Sequence, residues 1–154
     1  MFKGSTKDSK ISIKLITAKD TYSVRHPVLR KGRPIEDCAF ENDDLESTFH
    51  FGLFYNDTLV GVATFLKSNN ALFKIQNQYQ LRGMAILKDY QGLHLGDTLL
   101  KFGEHFLKSK NIKLLWFNAR EIAVGFYKKN NYVIFGEPFD IKSIGLHYLM
   151  HKQL

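Results

Sequence analysis

The chain has 154 residues, of which 44% are hydrophobic and 24% are charged, a composition typical of a globular protein rather than a disordered or repetitive one. Charged residues interrupt every apolar run well before the roughly 20 residues that a membrane helix needs, so we expect no membrane-spanning segment. The formal net charge of +7 favours anionic partners, either nucleic acid or a small molecule that carries phosphate groups.

The start of the chain is polar and rich in lysine. We expect residues 1–10 to be a flexible polar start to a single domain that spans residues 1–154. This start lacks the apolar core of a secretory signal, and the single cysteine, Cys38, forms no internal disulfide. Both features favour a cytoplasmic protein. Cys38 is interpreted as a small buried residue, although a lone cysteine is also a candidate nucleophile.

The first predicted elements are a strand and a helix. Apolar and polar residues alternate over residues 11–16, which predicts a strand, and Thr17 and Asp20 have the spacing of a capping box at the start of a helix. Because the residue before a proline disfavours the α conformation, His26-Pro27 should end this helix. Residues 26–47 are then expected to form a loop that contains a short second helix.

The middle and end of the chain predict further strands and helices. Residues 49–55 and 58–66 should pair as a hairpin around a tight turn at Asn56-Asp57. A helix of about fourteen residues should start at Leu95 and end before Asn111, which suits a left-handed cap. The other predicted segments are the central strand at 79–87, strands at 113–118, 132–135 and 147–151, and a helix at 121–129. This order predicts an α/β fold, a mixed sheet flanked by helices.

A short loop with two glycines, Gly92 and Gly96, joins the predicted central strand to the next helix. A loop that turns directly into a helix exposes several backbone N–H groups, and the helix dipole adds partial positive charge. The glycines let a ligand approach the main chain closely. The sequence has neither the dinucleotide-binding glycine fingerprint nor a P-loop motif. The loop therefore predicts a diphosphate site of another kind.

The loop residues also match a known family. The segment Gln91-Gly-Leu-His-Leu-Gly96 resembles the Gln/Arg-x-x-Gly-x-Gly/Ala signature of the GCN5-related N-acetyltransferase (GNAT) superfamily. Downstream, residues 114–132 are similar to that family's second coenzyme segment: a strand with Asn118, a helix with the pair Phe126-Tyr127, a turn and an aromatic residue. The two segments follow the family's order, and the hairpin extends the resemblance over most of the chain.

The resemblance implies a fold, an activity and a co-substrate. The fold is a central splayed mixed sheet flanked by helices. The activity is acyl-CoA-dependent N-acyl transfer without a metal, in which a primary amine of a small molecule attacks acetyl-CoA directly through a tetrahedral intermediate. Two alternatives stay open. One is a protein lysine or N-terminal acetyltransferase, and the other is a non-catalytic domain that binds acyl-CoA or nucleic acid.

The resemblance implies which residues bind the coenzyme. The main chain of residues 84–86 would pair with the pantetheine arm, the loop and helix start would hold the diphosphate, and Asn118 would bond to the pantetheine amides. The residues assigned in this way are Met84, Ala85, Ile86, Gln91, Gly92, Leu93, His94, Leu95, Gly96, Asp97, Thr98, Asn118, Phe126 and Tyr127. The side chains at 84–86 also suit core packing, and Asn118 equally suits a plain helix start.

Two positions depart from the family pattern. His94 stands where the signature usually has glycine, and a histidine strains the loop if that position needs a positive φ. Asn131 stands where the turn after the last helix usually has glycine, and asparagine tolerates the left-handed conformation.

The resemblance also implies catalytic roles. Tyr127 would be the general acid, since a phenol with a pKa near 10 stays protonated at neutral pH and can give its proton to the leaving thiolate. A packing role for Tyr127 is the alternative. A backbone N–H near Ile86 would stabilise the oxyanion. The general base stays open among His147, His50, Glu46 and a water chain.

The basic residues of the first loop are candidates for acceptor binding. Arg25, Arg30, Arg82 and His147 are assigned to the acceptor pocket, where the arginines would pair with a carboxylate or phosphate. A solvated basic surface is the alternative. We do not expect nucleic acid as a partner, because the aromatic residues follow strand and helix periods that bury them. Whether the chain forms a homodimer stays open.

Overall fold

The computed structural model describes residues 10–154. The predicted flexible start falls almost entirely on residues 1–9, which lie outside the described residues. The chain divides into two compact units. Unit 1 holds the described residues through Leu66 together with Arg82–His105, and unit 2 holds Lys67–Leu81 together with Phe106–Leu154. The prediction of a single domain stays a prediction.

Unit 1 contains two complete strands, a third strand except for its last residue, a short helix, and parts of one further strand and one helix that continue into unit 2. Its elements are β1 (Ile11–Leu15), α1 (Tyr22–Leu29), β2 (Phe49–Tyr55), β3 (Thr58–Lys67), the second part of β4 (Gln78–Ile86) and most of α2 (Leu95–Ser109). The strand order is β1-β2-β3-β4, and β2 is antiparallel to both β1 and β3.

The hairpin of β2 and β3 confirms the strongest local prediction. Asn56 and Asp57 have φ angles of 49° and 69°, which is the conformation of a two-residue hairpin turn. Behind the hairpin, the Phe51 ring packs edge-on against Phe65 and Phe102, with ring centroids 6.0 and 5.3 Å away. Phe102 lies on α2, so these contacts bind that helix to the sheet of unit 1.

The capping box predicted at Thr17 opens a 3-10 turn at Lys19–Thr21 that leads into α1 at Tyr22, and the predicted end of the helix is wrong. The capping box is present: the Thr17 N–H donates to Oδ2 of Asp20, and the Asp20 N–H donates to Oγ1 of Thr17. The helix does not end at Pro27 and runs two residues further. Its last turn is held by the Arg30 N–H, and Val24 on the same helix is fully buried. Tertiary packing outweighs the local preference here.

Unit 2 is built around the first part of β4 and four later strands. Its other elements are β5 (Leu114–Arg120), α3 (Val124–Lys129), β6 (Val133–Ile134), β7 (Phe139–Ile141) and β8 (Gly145–Gln153). β4 is parallel to β5, while β8 is antiparallel to β5, β6 and β7. The sequence did not predict β7, which has three residues and is mostly exposed.

These pairings confirm the predicted fold class. Parallel and antiparallel pairs occur together, so the sheet is mixed, and helices flank it. Asn111 has a φ of 64°, as expected for the residue that ends α2, and the Ile112 N–H bonds to the carbonyl of Leu107 beside it. Within residues 10–154, no helix has the length and apolar character needed to cross a membrane.

Candidate active site

The loop between β4 and α2 presents main chain to the solvent. The Gln91 side chain donates to the carbonyl of Ile86 at 2.8 Å and so connects the loop to the end of β4. Gly92 has a φ of 84°, and a Cβ at this position would meet no atom within 4 Å. Leu93 and His94 are both exposed. The loop therefore has open space next to a backbone in the left-handed conformation.

Helix α2 follows this loop directly. Leu95 is 2% exposed and anchors the start of the helix, and Thr98 N–H donates to the carbonyl of His94. The N–H groups before Thr98 have no partners within the helix, so they suit an anion. The predicted diphosphate contact at this helix start would need no charged side chain, and it stays a prediction. The Thr98 hydroxyl donates to the carbonyl of His94 at 3.0 Å, so its predicted phosphate contact stays a prediction.

The two departures from the family pattern both adopt the left-handed conformation. His94 has a φ of 62° and Asn131 a φ of 72°. The His94 side chain is 86% exposed, and its Nδ1 lies 3.3 Å from Oδ2 of Asp97. An exposed pair of this kind contributes little to stability. The backbone of His94 is therefore strained. Among the described residues, its imidazole has no strong protein partner.

Replacing His94 by glycine is expected to keep or tighten acetyl-CoA binding. Glycine adopts a positive φ freely, whereas another residue in this conformation costs about 1–2 kcal/mol. The Kd from calorimetric titration measures the effect, with Asn131→Gly as the control that relieves a similar conformation in unit 2 and should leave the Kd unchanged. A large loss of affinity in His94→Gly alone would show instead that the imidazole contacts the phosphates.

The part of β4 in unit 1 contains an irregularity at Gly83, whose φ is 63°. A Cβ on Gly83 would lie 2.6 Å from Cε2 of Phe40, so the ring fills the space that a side chain would need. Ala85 is buried in a core cluster, and the Ile86 side chain reaches the backbone of β3 at Gly61. These side chains pack in the core, as the sequence allowed. Their predicted main-chain role toward pantetheine stays a prediction.

In unit 2, Asn118 lies inside β5 and not at a helix start. The strand continues to Arg120, and Asn118 is opposite Leu149 of β8 with its side chain exposed. The alternative interpretation as a helix-start residue is therefore wrong. Its side chain is left facing solvent, as a contact with pantetheine amides requires.

Tyr127 belongs to an aromatic cluster within unit 2. Its ring centroid lies 4.1 Å from that of Phe117, 5.0 Å from that of Phe126 and 5.9 Å from that of Tyr132. Burial raises the pKa of the phenol above its usual value near 10. The group therefore stays protonated at neutral pH. The packing contacts and a role as proton donor are compatible, because packing holds the ring while the proton stays on the oxygen.

Arg25 has a structural role, which corrects its assignment to the acceptor. It is 0% exposed, and its two terminal nitrogens bond to both carboxylate oxygens of Asp43 at 2.7 and 3.1 Å. The same nitrogens also donate to the carbonyl of Cys38 and to Oγ1 of Thr64. A guanidinium enclosed in this way does not face a substrate. The sequence could not show this, because Asp43 is eighteen residues away.

Two histidines proposed as general base are also buried. In unit 1, His50 contacts Oγ1 of Thr64 through Nδ1 and the carbonyl of Asp43 through Nε2, each at 2.8 Å. Both ring nitrogens are engaged, so His50 is part of the network around Arg25. In unit 2, His147 is 5% exposed, and its Nδ1 contacts the carbonyl of Gly145. This burial argues against direct acceptor binding by His147.

Arg30 and Arg82 remain candidates for the acceptor. Both are half-buried, and their guanidinium carbons lie 5.1 and 4.8 Å from the centroid of the Phe40 ring. Arg25 stacks on the same ring at 3.8 Å. The structure thus brings the three predicted arginines together around one aromatic residue in unit 1. Sequence reasoning missed Phe40 and Gly83, although a glycine inside a strand is a known sign of close approach.

Cys38 is fully buried, and burial raises the pKa of its thiol. Its interpretation as a small buried residue is confirmed. Within residues 10–154, no three or more histidine, cysteine, aspartate or glutamate side chains are grouped to hold a metal ion.

Comparison with known proteins identifies the family. The family model described as Acetyltransferase (GNAT) family matches residues 17–132. A relative from Bacillus subtilis strain 168, described as the uncharacterized N-acetyltransferase YitI, is 40% identical over 144 residues, or 94% of this chain and 97% of the relative. The chain belongs to the GNAT family of acetyltransferases. The resemblance is confirmed, and the GNAT chain is an N-acetyltransferase enzyme.

Solved GNAT structures confirm the fold. An aminoglycoside 6'-N-acetyltransferase complexed with coenzyme A has a TM-score of 0.74 at 13% identity, over 92% of this chain and 96% of that chain. The ribosomal-protein-S18-alanine N-acetyltransferase from Escherichia coli has a TM-score of 0.72 at 17% identity, over 94% of each chain. At these identities the likeness concerns the fold, and the coenzyme in the first structure supports an acyl-CoA co-substrate for the family.

Proposed function

We propose that this GNAT enzyme transfers the acetyl group of acetyl-CoA to a primary amine of a small molecule in the cytoplasm. The observation that carries the proposal is the loop between β4 and α2. Its main chain is exposed at the start of a fifteen-residue helix, and Gly92 leaves the approach open. That geometry suits a diphosphate held by backbone N–H groups, which is the part of coenzyme A that a main-chain site can bind.

Bound acetyl-CoA supplies an activated acyl group on a thioester. The chain's own contribution starts with positioning: the N–H groups of residues 93–97 hold the diphosphate, and the main chain of residues 84–86 pairs with the pantetheine arm. The N–H near Ile86 stabilises the negative charge that develops on the carbonyl oxygen during attack. Asn118 donates to or accepts from the pantetheine amides.

Tyr127 supplies the proton in the last part of the reaction. As the new N–C bond is complete and the C–S bond breaks, the sulfur takes the phenol proton, and solvent returns a proton to the phenolate. The raised pKa of Tyr127 supports this role, since the donor is protonated when it is needed. The engaged nitrogens of His50 and the burial of His147 favour loss of the amine proton to a water chain. Glu46 is exposed and remains the side-chain candidate for a base.

Thiol release from acetyl-CoA across amino acids, amino sugars, polyamines and peptides tests the proposal. We expect one class of small-molecule amine to be turned over well, with peptides much slower. Turnover confined to peptides with free N-termini or lysines would establish a protein acetyltransferase instead. Binding of acetyl-CoA without turnover of any amine would identify a non-catalytic domain and overturn the proposal.

A further inference from the structure

The strongest feature outside the coenzyme loop is the arginine cluster, defined as Arg25, Arg30 and Arg82 around the ring of Phe40. All three guanidinium carbons lie within 5.1 Å of the ring centroid. Stacking on an aromatic face holds a planar guanidinium in place while leaving the N–H groups at its edge able to bond. Three cations around one ring also repel one another, so the cluster favours a negative charge nearby.

The three arginines differ in the hydrogen-bond and ion-pair partners of their guanidinium groups. Arg25 is compensated by Asp43, with which it forms a buried pair. Arg30 donates to the backbone carbonyls of Asp37 and Leu29. Arg82 stacks on Phe40, and among residues 10–154 its guanidinium has no hydrogen bond or ion pair. A guanidinium has five N–H donors in a planar fork that suits carboxylate and phosphate oxygens. Arg82 is therefore the member that keeps its donors for a ligand.

The position of Arg82 along β4 connects the cluster to the transfer reaction. The diphosphate loop follows the end of β4, so a pantetheine arm that pairs with residues 84–86 leads back along the strand toward Gly83. A strand rises about 3.3 Å per residue, which places Gly83 about 10 Å before Ile86. Phe40 occupies the space beside Gly83, and Arg82 directly precedes Gly83 in the chain. The cluster thus lies beside the middle of β4, on the side of the proposed oxyanion N–H at Ile86 that is away from the diphosphate loop.

Resting on the proposed function, we propose that the acceptor amine carries an acidic oxygen group, a carboxylate or a phosphate, which Arg82 binds from its stacked position on Phe40. Arg25 is a positioning residue in this site, because its guanidinium is fixed by the pair with Asp43 and lies 3.8 Å from the centroid of the Phe40 ring. The acidic group selects the substrate and takes no part in bond formation.

Matched pairs of amines test the inference. L-amino acids are compared with their carboxamides, and phosphoethanolamine with ethanolamine, by kcat/KM. Charge-assisted hydrogen bonds predict an acid preference of about 10- to 100-fold in at least one arm. The pair of amines that shows the preference identifies the acidic group as a carboxylate or a phosphate. The preference should fall to near unity in Arg82→Gln and be partly kept in Arg82→Lys, which retains the charge without the fork.

Arg33→Gln is the matched control, because it removes a positive charge from the same part of unit 1 at an exposed side chain that pairs with Asp37. It should keep the full acid preference. Calorimetric titration of the preferred acid into enzyme saturated with coenzyme A gives a readout without turnover, and Arg82→Gln should weaken that binding by the same factor. Arg82→Lys serves as the working variant if Arg82→Gln does not fold.

Several outcomes overturn the inference. Equal kcat/KM for acid and neutral partners in the parent would show that the acceptor needs no anion, while thiol release would still support the transferase. A preference that survives in Arg82→Gln would place the anion site elsewhere. An equal loss in Arg33→Gln would reduce the effect to overall charge. Failure of the proposed function is distinct, because then no amine releases thiol at all.

Discussion

Replacing Tyr127 by phenylalanine is expected to lower kcat by about 10²- to 10⁴-fold, the usual contribution of general acid catalysis, with little change in the Kd for acetyl-CoA. The substitution keeps the ring and its contacts with Phe117, Phe126 and Tyr132. It removes the proton that the proposed mechanism transfers to the sulfur. Steady-state rates with the best amine and calorimetric Kd values measure the two effects, with Tyr132→Phe as a control that removes a phenol from the same cluster.

The pH profile connects the rate loss to proton donation. Burial raises the pKa of Tyr127, so the phenol stays protonated to a higher pH than an exposed tyrosine. Deprotonation of Tyr127 should therefore not lower the rate of the parent enzyme below about pH 10. Turnover of Tyr127→Phe at the parent rate would make the phenol a packing residue. Equal losses of rate and of coenzyme affinity would mean that the hydroxyl orients the thioester.

Replacing Arg25 by glutamine is expected to reduce the free energy of unfolding by about 3–5 kcal/mol, the usual cost of breaking a buried ion pair. The carboxylate of Asp43 is 5% exposed and would lose its bidentate partner, and Thr64 would lose a donor. Denaturant unfolding measures the change. Arg33→Gln breaks an exposed pair and should change the same quantity by less than about 1 kcal/mol.

The double variant Arg25→Gln with Asp43→Asn separates the pair from the general cost of substitution. It should be less destabilised than the sum of the two single variants, because neither charge is then left alone in the interior. If Arg25→Gln were as stable as Arg33→Gln, the buried pair would have no structural role. The assignment of Arg25 to acceptor binding would then have to be reconsidered.

The sequence predicts well those features whose causes are local. The hairpin turn at Asn56-Asp57, the left-handed cap at Asn111 and the capping box at Thr17 each depend on a few neighbouring residues, and each is present. The loop between β4 and α2 was also predictable, because its glycines stand between a strand pattern and a helix pattern. Family resemblance added the proposed roles of Tyr127 and Asn118, which no local pattern indicates.

The sequence fails where distant residues decide. Helix α1 passes through Pro27 because its packing outweighs a local penalty. Arg25 is drawn into the interior by Asp43, Thr64 and the Cys38 carbonyl, which lie 13 to 39 residues away. Only the fold shows that one arginine of a basic segment is structural and that Arg82 stacks beside it on Phe40.

Calorimetric titration of acetyl-CoA into the protein tests the central claim most directly. The main-chain diphosphate site predicts one molecule bound per chain, little heat from free adenine, and a rise in thermal stability worth about 2.7 kcal/mol when the ligand reaches 100 times its Kd. Absence of any coenzyme binding at high protein concentration would contradict the assignment of the loop between β4 and α2 as the acetyl-CoA site.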